Sequence, residues 1–177
     1  MKTKHQDTVI AYWLVPAKPE RDFFNDVIRI LGGQMKAPRF EPHVTLVVAP
    51  QDRHPPKKIL ERIKAAPIHL SVRGIGATSD FQRTLFVRLG SSKGLEKLSA
   101  DVRRATKARG KNAASPHVSL LYKELPAATR RKLTSLVKLP FSQIVFDSIK
   151  AVRCPSSLRS RADVESWKVV ATKSLRG

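Results

Sequence analysis

The stretch Pro42-His43-Val44-Thr45-Leu46 returns later in the chain as Pro116-His117-Val118-Ser119-Leu120, so one five-residue pattern occurs twice. Each copy continues into apolar residues and is predicted to form a buried strand. Side chains alternate between the two faces of a strand, so the histidine and the hydroxyl of each copy point the same way. If the two halves fold against each other, two imidazoles and two hydroxyls surround one point. Such an arrangement is suited to moving protons about a phosphate.

Predicted helices and strands surround the two motifs in a similar order. The order strand, helix, histidine strand, helix, strand predicts an α+β fold with two pseudo-symmetric lobes, each an antiparallel sheet with outer helices, flanking a central cleft. Further strands are predicted at Thr8 to Pro16, Ile68 to Val72, Thr84 to Leu89, Ile144 to Val152 and Ser166 to Thr172, and helices at Glu20 to the glycine pair Gly32-Gly33, Pro56 to Ala66, Ser92 to Ala108 and Pro126 to Val137.

Length and composition bound the class of protein. A chain of 177 residues is long enough for one packed core and short for two independent domains, so residues 1–177 are predicted to form a single bilobal domain with a mobile tail at residues 1–8. No apolar run approaches the length of a membrane span, and we expect no membrane partner. The one cysteine, Cys154, cannot form an intrachain disulfide, which agrees with a reducing compartment. We expect a cytoplasmic monomer.

The charge of the chain is unusual. There are 34 lysines and arginines against 14 acidic residues, a net charge of +20, which would attract a polyanion such as RNA. The alternative is that a basic surface reflects only the general composition of the source, because net charge alone says little about function.

The paired context distinguishes the two motif histidines from the others. A lone histidine in a strand is usually a packed or surface residue, but matched prolines, valines and hydroxyls around both rings favour a catalytic pair. The remaining histidines lack this context and receive no role: His5, His54 and His69. Neither Cys154 nor the scattered acidic residues complete a set of metal ligands, so no metal and no cofactor are predicted.

These motifs resemble the signature of the two-histidine (2H) phosphoesterase superfamily, a pair of His-x-(Thr/Ser)-x motifs. Over roughly residues 9 to 172 the chain is most similar to the cyclic phosphodiesterases that open 2′,3′-cyclic nucleotides and ADP-ribose 1″,2″-cyclic phosphate. The added similarity lies in Pro38-Arg39-Phe40 and in Ser119-Leu120-Leu121-Tyr122. The resemblance implies a bilobal fold with both motifs at a central cleft, and hydrolysis without a metal. It also implies substrate-binding roles for Tyr122 and Arg39.

The chemistry of the residues suggests how the work is divided. A cyclic phosphate needs its attacking water deprotonated and its departing ribose oxygen protonated, and two imidazoles can share these steps near neutral pH. The resemblance implies His117 as general base and His43 as general acid. Thr45 and Ser119 are expected to hydrogen-bond the non-bridging phosphate oxygens.

Three aromatic residues are further candidates for contacting the substrate. Phe81 and Phe40 are candidates for stacking on a base, and Tyr122 for holding the phosphate; core packing is the alternative for each. The singly protonated histidine pair is expected to dominate around neutral pH. Opening at the 3′ oxygen, which the resemblance implies, yields the 2′-phosphate.

The sequence leaves the substrate open. A cyclic nucleotide is one candidate, and an RNA end with a cyclic phosphate is the other, handled by an RNA 2′,3′-cyclic phosphodiesterase or 2′-5′ RNA ligase of the same superfamily. A third possibility is a non-catalytic RNA-binding protein on this fold, but such a protein would have no chemical reason to keep both histidines and both hydroxyls.

Overall fold

The computed structural model describes residues 7–51, 54–109 and 115–176. Within these residues the chain forms strands β1 (Thr8–Pro16), β2 (Val44–Pro50), β3 (Ile68–Ala77), β4 (Leu85–Leu89), β5 (His117–Leu121), β6 (Gln143–Pro155) and β7 (Lys168–Ser174). The helices are α1 (Glu20–Met35), α2 (Pro56–Arg62), α3 (Lys93–Thr106), α4 (Ala127–Leu136) and α5 (Arg161–Glu165), and a short 3₁₀ helix covers Phe81–Arg83. No helix in this part of the chain is both long and apolar enough to cross a membrane.

The strands form two antiparallel sets that share the long strand β6. The sheet order is β2-β1-β6-β3-β4-β5, and β7 also pairs with β6. The first residues of β6 pair with β3, whereas its later residues lie between β1 and β7. One histidine motif therefore lies in the set β2-β1-β6-β7 and the other in the set β3-β4-β5. The predicted α+β class with antiparallel sheets is confirmed.

Strand β1 is buried on both faces, which explains why its sequence shows no alternation of polar residues. Ile10, Tyr12 and Leu14 belong to the main core, together with residues from α1, α3 and both strand sets. Ala11 and Trp13 belong to a separate small cluster on the opposite face. Complete burial of a large apolar side chain contributes about 1.5–3 kcal/mol, so the main core holds the two strand sets together.

The start of α3 follows a local rule that the sequence contains, whereas the end of α1 does not. Helix α3 begins where the Ser92 hydroxyl accepts a hydrogen bond from the backbone N–H of Leu95 at 3.2 Å, as expected for an N-cap. The prediction that Gly32-Gly33 ends α1 is wrong, because α1 continues to Met35 and ends at Lys36, which has a φ of 51°. A side chain at Gly32 would approach the carbonyl oxygen of Ala37 to 3.3 Å, so this glycine allows close passage of the next loop.

Further boundaries also differ from expectation. Helix α2 ends at Arg62, before the predicted end at Ala66, because Ile63 already has extended backbone angles. Strand β6 continues to Pro155, beyond the predicted end at Val152, because its last residues pair with β1.

Strand β3 continues to Ala77, beyond the predicted end at Val72, because its later residues pair with β4. The predicted tail over residues 1–8 is too long, because Thr8 already pairs with Pro155 and the carbonyl of Asp7 accepts a hydrogen bond from Ser156. The rest of that tail, and His5, lie outside the described residues.

Candidate active site

The two motif histidines line one cleft, as their matched context predicted. The cleft has a volume of about 280 Å³ and lies between strands β1 and β2 on one side and the 3₁₀ helix and β5 on the other. Polar groups from both halves of the chain line the cleft: His43, Thr45, Asp80, Gln82, Arg83, His117 and Tyr122. The apolar or weakly polar lining comes mainly from β1, β2 and the chain around and after the end of β6: Val9, Ala11, Trp13, Val48, Cys154, Leu158 and Trp167.

The first motif places His43 in an aromatic setting. The Nδ1–H of the ring donates to the carbonyl oxygen of Glu41 at 2.7 Å. Trp13 stacks on the imidazole with the ring centroids 3.7 Å apart and the planes 10° apart, and the edge of Trp167 lies 5.9 Å away. Only 6% of His43 is exposed. The pKa of His43 is lowered from 6.5 to about 4, mainly by burial and in smaller part by the nearby His117, against the opposing effect of the Glu41 carbonyl.

The second motif repeats this backbone contact in a different setting. The Nδ1–H of His117 donates to the carbonyl oxygen of Ser115 at 3.1 Å. The ring is half-buried and meets Phe86 edge-on at 5.4 Å between centroids. Burial lowers the pKa of His117, and the Arg83 guanidinium lowers it further, while the Ser115 carbonyl opposes both.

The backbone contacts determine the tautomer of both rings. A carbonyl oxygen can only accept a hydrogen bond, so Nδ1 must carry the hydrogen in His43 and in His117. Nε2 is then the atom that accepts a proton in the neutral ring and donates it in the charged ring. The cleft therefore holds two groups that differ in proton affinity but use the same ring atom.

The two hydroxyls of the motifs are not equivalent. Thr45 is half-buried and lines the cleft. Ser119 is 4% exposed; its hydroxyl donates to the Gln82 carbonyl at 3.2 Å and is hydrogen-bonded to Tyr122. The structure thus gives Ser119 partners in the walls of the cleft, and its contact with a phosphate stays a prediction.

Tyr122 is both a core residue and a wall of the cleft. Burial raises the pKa of its phenol to about 12, so the group is a hydrogen-bond donor throughout the physiological range. Its ring contacts Phe40 at 4.4 Å and Trp167 at 5.7 Å between centroids, and Phe81 lies 6.1 Å away. Phe40 and Phe81 lie beside Tyr122 and are not among the residues that line the cleft.

Arg39 does not join the other predicted residues. It is exposed and lies at two shallow surface depressions, one of which adjoins the far side of Trp13 and Trp167. Its binding of substrate is not supported by this position and stays a prediction from the resemblance.

Sequence reasoning missed the two tryptophans and Arg83. Both tryptophans of the chain lie at the cleft, 5.0 Å apart between ring centroids. Their rarity was the available signal, but Trp13 lies within an apolar strand and Trp167 just before another, where packing is the ordinary interpretation. Arg83 reaches the cleft because the 3₁₀ helix, which Asp80 caps through a 2.9 Å hydrogen bond from the Gln82 N–H, turns the chain at this point.

Among the described residues, no three histidine, cysteine, aspartate or glutamate side chains are grouped so that they could hold a metal ion. Cys154 lies in the wall of the cleft, and burial raises the pKa of its thiol.

Comparison with known proteins agrees with the motifs and the fold. The 2′-5′ RNA ligase superfamily matches residues 16–153. A curated relative, the 2′,3′-cyclic-nucleotide 3′-phosphodiesterase of Phaeosphaeria nodorum, is 27% identical over an alignment of 175 residues with its gaps, and the match covers 88% of this chain and 84% of the relative. Among solved structures, E. coli LigT complexed with 3′-AMP has a TM-score of 0.56 at 14% identity, covering 97% of this chain and 99% of LigT. A structure described as a phosphoesterase has a TM-score of 0.58 at 14% identity, covering 96% and 99%.

At these identities the solved structures show a shared fold, and the sequence match shows the family. Both histidine motifs lie inside the matched residues. The chain belongs to the 2′-5′ RNA ligase superfamily, and its two motifs make it a two-histidine phosphoesterase, as the sequence predicted.

Proposed function

We propose that this protein is a cyclic phosphodiesterase that hydrolyses a 2′,3′-cyclic phosphate, or the 1″,2″-cyclic phosphate of ADP-ribose, by general acid and base catalysis from two histidines. One observation carries the proposal: His43 and His117 line the same cleft, and each has its Nδ1–H held by a backbone carbonyl, which leaves Nε2 for proton transfer.

The reaction balances with these two groups and water. One neutral imidazole takes a proton from water as the water oxygen forms a bond to phosphorus. The bond from phosphorus to one ribose oxygen breaks, and the protonated imidazole gives its proton to that oxygen. Thr45 in the cleft wall supplies a donor to the charge that grows on the phosphate, and the neutral phenol of Tyr122 supplies a second. Neither step needs a metal.

The surroundings of the rings favour a division of roles opposite to the one that the resemblance implied. His43 is the more buried ring, and its pKa of about 4 makes it a neutral base over most of the pH range. The half-buried ring of His117 is easier to protonate, so it can hold the proton to be donated at a pH where His43 is neutral. We therefore assign the base to His43 and the acid to His117.

The substrate and product follow from the walls of the cleft and from the relative. Val9, Ala11 and Val48 form an apolar wall beside the histidines that suits a ribose and a base. The name of the Phaeosphaeria nodorum relative refers to a 2′,3′-cyclic nucleotide and a 3′-phosphodiesterase, which supports opening at the 3′ oxygen and a 2′-phosphate product. LigT was solved with 3′-AMP, which supports a nucleotide ligand on this fold.

The test is an assay of the purified protein with cyclic mononucleotides, ADP-ribose cyclic phosphate and RNA that ends in a 2′,3′-cyclic phosphate. Each assay includes EDTA, and phosphorus NMR identifies the product. We expect turnover that survives EDTA and releases the 2′-phosphate, and no turnover by a protein in which both histidines are replaced by alanine.

Three results would each contradict part of the proposal. Absence of turnover on every substrate would contradict the proposed activity. Loss of turnover on chelation, with recovery on adding a divalent ion, would contradict the metal-free mechanism. Exclusive release of the 3′-phosphate would mean that the substrate lies the other way across the two motifs.

A further inference from the structure

A second opening lies next to the cleft, between strands β3 and β4 and helix α4. It has a volume of about 440 Å³, and we call it the arginine groove because Arg88, Arg130 and Arg131 line it. No carboxylate is among its described lining residues, and none of the three arginines forms an ion pair within the part of the chain that the structure describes. Arg130 donates a hydrogen bond to the carbonyl oxygen of Leu125, but a carbonyl does not neutralise its charge. Like charges brought together without a counter-charge repel, so an anion would stabilise the groove.

Gly76 lines this groove, and Gly74 lies two residues before it on β3. Gly76 lies opposite Phe86 across the β3–β4 pairing, and Gly74 lies opposite Arg88. A Cβ atom at Gly76 would lie 2.6 Å from the Phe86 ring, closer than real atoms approach. At Gly74, which has a φ of 108°, a Cβ atom would lie 3.4 Å from a guanidinium nitrogen of Arg88. The side chains of β4 therefore lie across β3 because β3 has no side chains at these two positions.

The arginine groove adjoins the cleft across the contact between Phe86 and His117. Arg88 pairs with His117 in the β4–β5 ladder, so the two side chains emerge on the same face of the sheet. Phe86 lines the groove and also meets His117 edge-on at 5.4 Å. The Arg83 guanidinium, which lines the cleft, lies 4.8 Å above the same ring, and its buried Nε has no hydrogen-bond partner among the described residues.

From the position of this groove beside the cleft we infer that it binds the phosphodiester backbone of an RNA strand whose terminal cyclic phosphate occupies the cleft. The inference rests on the proposed function and specifies its substrate as an RNA end. Guanidinium groups match phosphate oxygens in geometry and charge, and the net charge of +20 favours a polyanion over a neutral partner. The groove offers cations and no free aromatic face, so it positions a strand without distinguishing its bases.

The experiment compares three substrates: a cyclic mononucleotide, ADP-ribose cyclic phosphate, and a six-nucleotide RNA ending in a 2′,3′-cyclic phosphate. The variants are Arg130→Gln with Arg131→Gln, and Arg131→Gln alone. Arg131 is exposed, and α4 is anchored by the buried Leu133, so the single variant retains the fold. The matched control is Lys132→Gln, an exposed cation on the same helix that does not line the groove.

We expect the parent protein to prefer the hexamer. The double variant should lower the ratio of kcat/KM for hexamer over mononucleotide by about tenfold or more, because two charged groups no longer bind the phosphates of the strand. The slope of log(kcat/KM) against log salt should become shallower by about 0.7 for each phosphate that the protein no longer neutralises. Lys132→Gln should leave the ratio unchanged.

Each other outcome overturns the inference. An unchanged ratio in the double variant, with the mononucleotide still hydrolysed, shows that the groove does not bind the RNA strand and leaves the proposed function intact. A loss confined to ADP-ribose cyclic phosphate assigns the groove to the diphosphate of a small molecule. Absence of turnover on all three substrates contradicts the proposed function itself, and therefore also the binding of an RNA substrate that rests on it.

Discussion

The same five-residue pattern has two different surroundings in this protein. His43 is buried against the stacked ring of Trp13, while His117 is half-buried beside Phe86 and the cation of Arg83. In both motifs a backbone carbonyl two residues earlier holds Nδ1–H. The motif therefore sets the orientation and the tautomer of its histidine, whereas the proton affinity is set by side chains from other parts of the chain.

The strongest way to test this difference is to remove each histidine. His43→Gln and His117→Gln should each lower kcat on a cyclic nucleotide by about two to four orders of magnitude, because each ring performs a proton transfer that water or an amide cannot replace. The control is His69→Gln, since His69 is exposed on β3 and lies outside the cleft. A rate near that of the parent for either motif variant would show that the pair does not divide the work.

Acid stability sharpens the difference between the two rings. The pKa of His43 is about 4 in the folded protein and 6.5 as a free side chain, so the unfolded chain takes up the proton first as the pH falls. The resulting stability is complete above pH 6.5 and is lost as the pH falls through about 4. It amounts to about 3 kcal/mol.

Urea unfolding at pH 7 and pH 4 measures this loss. The parent should lose about 3 kcal/mol more free energy of unfolding over this range than His43→Gln, which cannot titrate. Phosphate in the buffer should reduce the loss, because an anion in the cleft stabilises the charged ring. Equal losses in the two proteins would mean that His43 is not desolvated.

The two hydroxyls offer a smaller contrast. Thr45→Ala should lower kcat by about 10- to 100-fold with little change in stability, because Thr45 lines the cleft and donates to the developing charge. Ser119→Ala should instead cost about 1 kcal/mol in the free energy of unfolding, because its buried hydroxyl bonds to the Gln82 carbonyl. Thr45→Ser should retain most of the activity. A larger loss of kcat for Ser119→Ala than for Thr45→Ala would assign Ser119 to the phosphate.

The pH profile gives the most subtle test. Both histidine pKa values lie below 6.5, so kcat/KM should peak on the acidic side of neutrality, and not around neutral pH as the motifs alone suggested. Arg83→Gln should move the alkaline limb to higher pH, because the arginine lowers the pKa of His117. Arg29→Gln on the exposed face of α1 is the control. An alkaline limb that does not move would show that Arg83 does not lower the pKa of the group that acts as the acid.

Much of the fold was predictable because its signals are local. The amphipathic face of α3, with Leu95, Leu98 and Val102 buried, and the capping serine before it can be seen in the sequence. The position of Arg39 could not be predicted from its neighbours, because its distance from the cleft depends on how the loop after α1 packs. The same holds for Ser119, whose partner Gln82 lies 37 residues away in the chain.

The amino-acid sequence is enough to predict that there are two motifs, that each histidine follows a proline in an extended segment, and that histidine and hydroxyl share a face. These are properties of a few adjacent residues and of the pleat of a strand. Tertiary packing alone brings Trp13 over one ring, places Arg83 near the other, and sets a cationic groove lined by Gly76 beside them. Desolvation and Coulomb interactions depend on every atom nearby, and those atoms come from strands that are far apart in the chain.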